Sequence, residues 1–162
     1  MLLLLVRHAQ AAEQDEARYP DDSVRPLVPK GRKIQRRVSK ALRRRNLIPS
    51  RVFSSPWKRA WQTARILVEE VGLPKSARLP CQALAGPPDL AALAAEIGPV
   101  EGEETLALVG HEPWMSALAG LLLTARSEGL SVDFPKSGVM GIETQELATA
   151  AGSGTLRFFL VP

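Results

Sequence analysis

Two continuous apolar runs constrain the fold more than any other feature of this sequence. They are Leu2–Val6 and Thr105–Val109, and neither shows the apolar–polar alternation of a half-exposed strand. Strands with this pattern are buried on both faces, which is typical of a largely parallel sheet covered by helices on each side. The two runs therefore predict an α/β fold.

Helical and strand patterns alternate along the rest of the chain. Helices are predicted at 30–46, 56–71 and 88–97 and from Pro113 onward, and further strands at 51–54, 79–84, 139–144 and 156–161. Such alternation is typical of a sheet whose helices lie on both faces, and the last two strands are predicted to form an antiparallel hairpin across 151–154. We expect one domain, residues 1–162, with a three-layer α/β/α sandwich and a mostly parallel central sheet.

The composition is that of an ordinary globular domain. Of the 162 residues, 45% are hydrophobic and 23% are charged, so a substantial core can form without disulfides or metal. The single cysteine, Cys81, is distant in sequence from both histidines and is expected to be a small buried residue rather than a catalytic thiol. Because the opening apolar run is too short for a membrane span or a signal sequence, we expect a soluble, cytoplasmic protein with no membrane partner.

Positive charge is concentrated in one part of the chain. Fourteen Lys and Arg residues and no Asp or Glu lie between Ser23 and Val68, whereas the remainder holds all 17 acids. A region of strong positive potential steers negatively charged molecules toward it. The basic helix at 30–46 is interpreted either as a solvated face or as a docking surface for an acidic protein. Nucleic acid is disfavoured because no aromatic residues are interleaved with the charges.

Each of the chain's two histidines directly follows one of the apolar runs. These are His8 and His111, and ligands in open α/β folds bind beyond the carboxyl ends of the strands. Arg7 has little reason to follow a buried strand unless it has an anionic partner. Arg59 is predicted one turn into a helix, where the helix dipole and free N–H groups add to its charge. Together these residues predict an anion-binding site.

Three segments of the sequence resemble the signatures of the histidine phosphatase superfamily, also called the phosphoglycerate-mutase-like family. They are "VRHA", "SSPWKRAWQTA" and "VGHEPW". The chain length and the loop "DDSVRPLVPKG" are similar to the SixA-type phosphohistidine phosphatases of that superfamily, and the resemblance extends to "FPKSGVMGIE" near the end. It implies a phosphoglycerate-mutase-like fold.

The resemblance also implies a role for each of the four residues. His8 is the nucleophile that accepts the phosphoryl group, while Arg7, Arg59 and His111 surround the phosphate. This is phosphoryl transfer by positioning and charge, in which cationic donors neutralise the equatorial oxygens. Neighbouring arginines keep His8 neutral by lowering its pKa. No metal or other cofactor is required.

Three further residues have open roles. Arg25 either approaches the substrate or pairs with Asp21 or Asp22. Asp89 is the only acid in the segment that carries the general acid in larger relatives. It is interpreted either as that acid or, preferably, as an acid in the first helical turn, behind Pro88, that complements the helix dipole. Glu112, beside His111, is considered only for orienting the site.

The lack of a clear general acid favours one substrate class. The imidazole of phosphohistidine can leave as a protonated, neutral group, whereas an alkoxide needs a proton donor. The expected function is therefore removal of phosphate from phosphohistidine on a protein. The alternatives are a phosphomonoesterase for a small phosphorylated metabolite and a non-catalytic phosphate-binding module; mutase activity is less favoured because a short chain leaves little lid to exclude water.

Overall fold

Strands and helices alternate along the chain, as the sequence patterns predict. The computed structural model describes residues 1–100 and 103–162. The strands are β1 (Leu2–Arg7), β2 (Arg51–Ser54), β3 (Arg78–Pro80), β4 (Thr105–Gly110), β5 (Val139–Glu143) and β6 (Thr155–Leu160). The α-helices are α1 (Pro29–Arg44), α2 (Lys58–Val71), α3 (Leu90–Ile97) and α4 (Trp114–Thr124). Short 3-10 turns lie at Asp22–Val24, Lys75–Ala77 and Gln82–Leu84.

The strands form one six-stranded mixed sheet in the order β3-β2-β4-β1-β5-β6. The pairs β2–β3, β2–β4 and β1–β4 are parallel, while β5 is antiparallel to both of its neighbours. Among the strands of the described residues, only β5 therefore runs against the others. The mostly parallel sheet and the antiparallel final pair are both as predicted.

Two hydrophobic cores, one on each face of the sheet, account for the unbroken apolar runs. Leu3 and Leu5 of β1 belong to the core that contains α3 and α4. Leu4 and Val6 point to the opposite face and pack with residues of α1 and α2. Successive strand residues face opposite sides, so every position in a strand covered on both faces must be apolar. This arrangement confirms the predicted three-layer α/β/α sandwich.

One predicted strand end and the predicted length of one connection are wrong. The strand expected at 79–84 ends at Pro80, and residues 82–84 form a 3-10 turn instead. The reason is a distant carboxylate: Glu96 accepts hydrogen bonds from the backbone N–H groups of Gln82 and Ala83, at 2.6 and 2.8 Å, which then cannot join a strand ladder. The connection between β5 and β6 spans residues 144–154 rather than only 151–154.

Gly31 allows the start of α1 to pack against the loop that follows His8. A Cβ atom at this position would lie 2.2 Å from the carbonyl oxygen of Gln10, and backbone cannot easily move away. We expect Gly31→Ala to lower the free energy of unfolding by about 1–3 kcal/mol, the usual cost of overpacking, measured by urea denaturation. Gly86→Ala is the control, because no atom lies within 4 Å of its added Cβ. An equal effect of the two substitutions would contradict this explanation.

Candidate active site

Three adjacent strand ends bring the candidate residues to one edge of the sheet. In the parallel pair β1–β4, Arg7 is opposite Gly110, so His8 and His111 are the next residues of neighbouring strands. Their ring centroids lie 5.1 Å apart. On the other side of β4, the N–H of Ser55, directly after β2, donates to Val109 O. The register of the sheet therefore brings together residues that are about a hundred positions apart in sequence.

His8 is held in one tautomer by its surroundings. Its Nδ1 lies 2.7 Å from the carbonyl oxygen of Ala9; because a carbonyl only accepts hydrogen bonds, Nδ1 carries the proton. The unprotonated Nε2 accepts a hydrogen bond from Arg59 Nε at 3.3 Å. His8 is only 7% exposed, so its ring orientation is also restricted by packing. Nε2, which carries a lone pair and no proton, is therefore the reactive atom of the ring.

Thr63 connects helix α2 to the backbone beside His8. Its buried hydroxyl accepts a hydrogen bond from the N–H of Ala9 at 3.0 Å and donates to the carbonyl oxygen of Arg59 at 2.7 Å. The same Ala9 provides the carbonyl that orients the His8 ring. Thr63 thus fixes the backbone of Arg59 relative to the backbone beside His8.

Arg59 is almost fully buried and is oriented by Asp22. Its Nη2 lies 2.9 Å from Asp22 Oδ2, and its Nη1 donates to the Asp22 carbonyl oxygen at 2.8 Å. Arg25 approaches the same carboxylate, with Nε 2.8 Å from Oδ1, and donates to Ala12 O. Of the two interpretations of Arg25, pairing with Asp22 is the one observed. A substrate contact for Arg25 stays a prediction.

His111 contacts Ser55 and Trp57, both from the segment between β2 and α2. Its Nε2 lies 2.8 Å from Ser55 Oγ, which also accepts a hydrogen bond from the N–H of Trp57 at 3.3 Å. The Trp57 ring lies 4.9 Å from the His111 ring and 4.6 Å from the Arg59 guanidinium. The Trp57 side chain therefore packs between two of the candidate residues.

Several buried polar atoms at this edge have no hydrogen-bond partner within the described residues. They include Arg7 Nε, His111 Nδ1 and Ser137 Oγ. Arg7 Nη1 donates to the Phe134 carbonyl at 2.6 Å, and the Ser137 N–H donates to the backbone carbonyl of Arg7. Buried polar groups are usually paired. Unpaired groups clustered beside His8 are typical of a site that binds a polar ligand.

Both histidines are neutral at physiological pH in the folded protein. The pKa of His8 is lowered to about 3, chiefly by burial; the hydrogen bond with the Ala9 carbonyl opposes this decrease, and the nearby cationic groups, Arg59 and Arg7 among them, add to it. Burial and then the charge of Arg59 lower the pKa of His111 to about 4. We predicted that neighbouring arginines would keep His8 neutral; they contribute, but burial is the larger cause. A neutral imidazole is the form that can act as a nucleophile.

These low pKa values predict that stability depends on pH. Below about pH 6.5 histidines bind protons in the unfolded chain, whereas in the folded protein His111 resists protonation until about pH 4 and His8 until about pH 3. The contribution of the two histidines is therefore complete above pH 6.5 and is lost as the pH falls toward 3. Urea unfolding at about pH 7.5 and pH 5 measures this loss. The double variant His8→Gln/His111→Gln should lose less stability over that interval, and an equal loss would contradict the assignment.

The candidate carboxylates have structural partners. Asp89 is the N-cap of α3 and accepts hydrogen bonds from the N–H groups of Ala91 and Ala92, so it occupies the cap rather than the first turn. Glu112 accepts from the N–H and the hydroxyl of Ser116 in α4. For Asp22, burial alone would raise the pKa, but hydrogen bonding from Arg25 and the charge of Arg59 outweigh burial and the pKa lies below its usual range.

Two other classes of site find no support in the described structure. Within residues 1–100 and 103–162, no group of three or more His, Cys, Asp and Glu side chains is arranged to hold a metal ion. Cys81 is fully buried, and burial raises the pKa of its thiol to about 12, which disfavours the reactive thiolate. None of the described helices is long and apolar enough to cross a membrane.

Sequence reasoning missed three residues that hold the site together. Asp22 was considered only as a partner of Arg25, and neither Ser55 nor Thr63 was identified. All three lie inside segments that drew attention for other reasons, namely "DDSVRPLVPKG" and "SSPWKRAWQTA". Their contacts are with residues on other elements, so periodicity along the chain carries no signal for them.

Comparisons with known proteins indicate the family of this chain. Residues 3–79 match the model of the histidine phosphatase superfamily (branch 1). An uncharacterized protein of Picosynechococcus sp. is 32% identical over 147 residues, which cover 89% of this chain and 86% of the relative.

Solved structures share the fold over nearly the whole chain. The protein histidine phosphatase SixA complexed with tungstate superposes with a TM-score of 0.77 at 24% identity, covering 99% of this chain and 96% of that one. A mycobacterial glucosyl-3-phosphoglycerate phosphatase complexed with VO3 has a TM-score of 0.66 at 17% identity, with 97% of each chain covered. The three signature segments, the family match and the shared fold together show that this chain belongs to the histidine phosphatase superfamily.

Proposed function

We propose that this protein removes phosphate from phosphohistidine on a protein, through a phosphorylated His8. The observation that carries the proposal is the unprotonated Nε2 of an oriented His8 beside Arg59, whose partner Asp22 has a pKa below the usual range. The superfamily membership supports a phosphatase, and the substrate class rests on the proton chemistry of this site.

The first step is attack of His8 Nε2 on phosphorus. A bond forms between Nε2 and phosphorus while the bond between phosphorus and the substrate imidazole breaks, and the imidazole leaves with its own proton. Water then attacks the phosphorylated His8, which releases inorganic phosphate and restores the neutral imidazole. The Ala9 carbonyl keeps the proton on Nδ1 throughout, so Nε2 starts each cycle unprotonated.

The unpaired polar atoms supply donors for the phosphoryl oxygens. Arg7 Nε has no hydrogen-bond partner among residues 1–100 and 103–162, and Arg59 contributes a charged guanidinium fixed by Asp22. In the tautomer that carries the proton on His111 Nδ1, the Ser55 hydroxyl, which accepts from the Trp57 N–H, donates its hydrogen to His111 Nε2. His111 Nδ1–H is then a further donor. Preorganised donors of this kind stabilise the charge that develops during transfer.

The state of the carboxylates favours a substrate that needs no proton donor. The lowered pKa of Asp22 keeps it ionised near neutral pH. Asp89 and Glu112 accept hydrogen bonds from backbone N–H groups at the starts of α3 and α4, so both already have a structural role. An alkoxide leaving group would depend on a protonated acid, whereas the imidazole of phosphohistidine would not.

A phosphatase for a small phosphorylated metabolite is the second candidate. It is favoured by the fold shared with the glucosyl-3-phosphoglycerate phosphatase. This candidate requires a proton donor, for which Asp89 is the residue identified from the sequence. A non-catalytic phosphate-binding module is the third, and it gives no reason for the oriented His8 tautomer.

The Asp89→Asn variant separates the first two candidates. If Asp89 only caps α3, the substitution should leave turnover of both a phosphohistidine peptide and an alkyl phosphate nearly unchanged, since Asn is also a good N-cap residue. If Asp89 is a general acid, alkyl phosphate hydrolysis should fall by about 10²-fold or more while phosphohistidine turnover changes little. We expect the first outcome, together with a wild-type preference for the P–N bond in kcat/KM.

An aryl phosphate with an acidic phenol is the matched control, because its leaving group needs little protonation. It should be unaffected by Asp89→Asn under either candidate. Efficient wild-type hydrolysis of alkyl phosphates, strongly impaired in Asp89→Asn, would contradict the proposed substrate and favour the metabolite phosphatase.

A further inference from the structure

An open basic groove lies between helix α1 and the end of strand β6. Its volume is about 480 Å³, and it is lined on one side by cations of α1 and on the other by Leu160 and Val161. The cations are Arg37, Lys40, Arg44 and Arg45. No acidic side chain is among the residues lining this groove in the described part of the chain. We call it the α1–β6 groove.

The cations of the groove are only partly neutralised by the protein itself. Lys40 lies 3.8 Å from Glu70 Oε2, and Arg45 donates to a backbone carbonyl of its own helix. Arg37 and Arg44 are exposed and form no ion pair or hydrogen bond with any described residue. Because unpaired like charges in a groove reinforce one another, they favour a ligand that carries several negative charges.

The groove also offers exposed apolar surface. Val161 is 59% exposed, and Leu160 is partly buried. The apolar parts of the groove include Ile34 and Val38 of α1. An interface with an apolar centre and a charged rim is typical of a protein partner. No aromatic side chain lines the groove within the described residues, so it lacks the stacking surface that single-stranded nucleic acids use.

One lining residue of the groove, Leu160, is in register with the end of the strand that precedes His8. Leu160 is paired with Val139, and Val139 is paired with Val6, two residues before His8. Since adjacent strands are roughly 4.8 Å apart, Leu160 lies roughly 10 Å from the Val6 backbone. A protein bound with one side chain at His8 can therefore extend into the groove.

We propose that the α1–β6 groove binds an acidic segment, containing apolar side chains, of the phosphorylated protein substrate. The identity of the occupant as a substrate rests on the proposed function, whereas the affinity of the groove for acidic, partly apolar protein segments does not. The groove contributes to recognition and leaves the chemistry at His8 unchanged, because none of its residues belongs to the catalytic site.

The first test measures binding without catalysis. A fluorescein-labelled, unphosphorylated peptide rich in glutamate and containing two leucines is titrated with wild-type protein and followed by anisotropy. Arg37→Glu/Arg44→Glu should weaken binding by roughly tenfold, the scale expected for reversing two rim charges. The affinity of the wild-type protein for the acidic peptide should also fall with added salt. A peptide in which every glutamate is replaced by glutamine should not bind.

The matched control is Lys33→Glu/Arg43→Glu. This double variant makes the same change in net charge on the same helix, and both residues are exposed but do not line the groove. It should retain binding within about twofold. The thermal unfolding midpoint of each double variant shows that both are folded.

The second test connects the groove to turnover. Two phosphohistidine peptides with the same core, one with an acidic apolar flank and one with a neutral flank, are compared in KM and kcat. Arg37→Glu/Arg44→Glu should raise KM for the acidic peptide only, with kcat and the small substrate phosphoramidate unaffected. If neither peptide is hydrolysed but the anisotropy result holds, the proposed function fails while binding of acidic segments by the groove stands.

Three results would overturn the proposal. Equal loss of peptide binding in both double variants would mean that only the overall charge matters. Unchanged peptide binding in both double variants would show that the groove is not the binding site. Tighter binding of an oligonucleotide than of the acidic peptide, abolished by Arg37→Glu/Arg44→Glu, would assign the groove to nucleic acid.

Discussion

His8→Ala is expected to abolish turnover, with a decrease of about 10⁴-fold or more, the scale found when a covalent nucleophile is removed. The acid-labile phosphoenzyme should disappear with it, because Nε2 is the atom that accepts the phosphoryl group. Rapid-quench experiments with a ³²P-labelled phosphohistidine peptide measure both quantities. Binding of inorganic phosphate should be partly retained, since Arg7 and Arg59 remain.

His111→Ala is the comparison for this experiment. Its ring lies beside His8 and is hydrogen-bonded to Ser55, but it is not the proposed nucleophile. Turnover should decrease while a trace of phosphoenzyme remains detectable. Wild-type turnover in His8→Ala, or a phosphoenzyme in that variant, would show that the nucleophile has been assigned wrongly.

Arg59→Lys is expected to have the second-largest effect, lowering kcat/KM by about 10²–10³-fold although the positive charge is kept. Arginine at this position simultaneously donates to His8 Nε2, the Asp22 carbonyl and the Asp22 carboxylate. A lysine has a single nitrogen and cannot reproduce that planar set of donors. Steady-state kinetics on a phosphohistidine peptide measure the effect.

Two variants identify the cause of the loss in Arg59→Lys. Lys58→Arg, at the adjacent position of α2, is the control and should be nearly neutral. Asp22→Asn removes the charge that orients Arg59 and should produce an intermediate loss in kcat/KM. An unchanged kcat/KM in Arg59→Lys would contradict the requirement for the guanidinium geometry. An unchanged kcat/KM in Asp22→Asn would show that Asp22 is not needed to position Arg59.

Much of the fold could be predicted because its patterns are local. An apolar run such as Leu2–Val6 can be satisfied only by cover on both faces, and the two hydrophobic cores provide that cover. The helices were found within a few residues of their observed ends. The strand predicted at 79–84 failed because Glu96, on another helix, accepts the hydrogen bonds of Gln82 and Ala83.

For the candidate site too, one part could be predicted from the sequence and another could not. His8, Arg7, Arg59 and His111 could be selected from the sequence because each stands at the end of a strand or the start of a helix, within a segment that resembles a family signature. Local order along the chain, however, contains no information on which strands are neighbours. The pairing of β1 with β4, which brings the two histidines into contact, is a property of the assembled sheet.

By itself, the sequence determined the type of each main element, the two-sided burial of the sheet and the residues suited to bind an anion, because these depend on side-chain chemistry and on periods of two or 3.6 residues. Only the tertiary structure decided that Asp22 orients Arg59 and that α1 and β6 form a basic groove. These two features depend on contacts between elements far apart in the chain, and packing of the whole sheet and its two helical layers selects among the partners that the sequence leaves open.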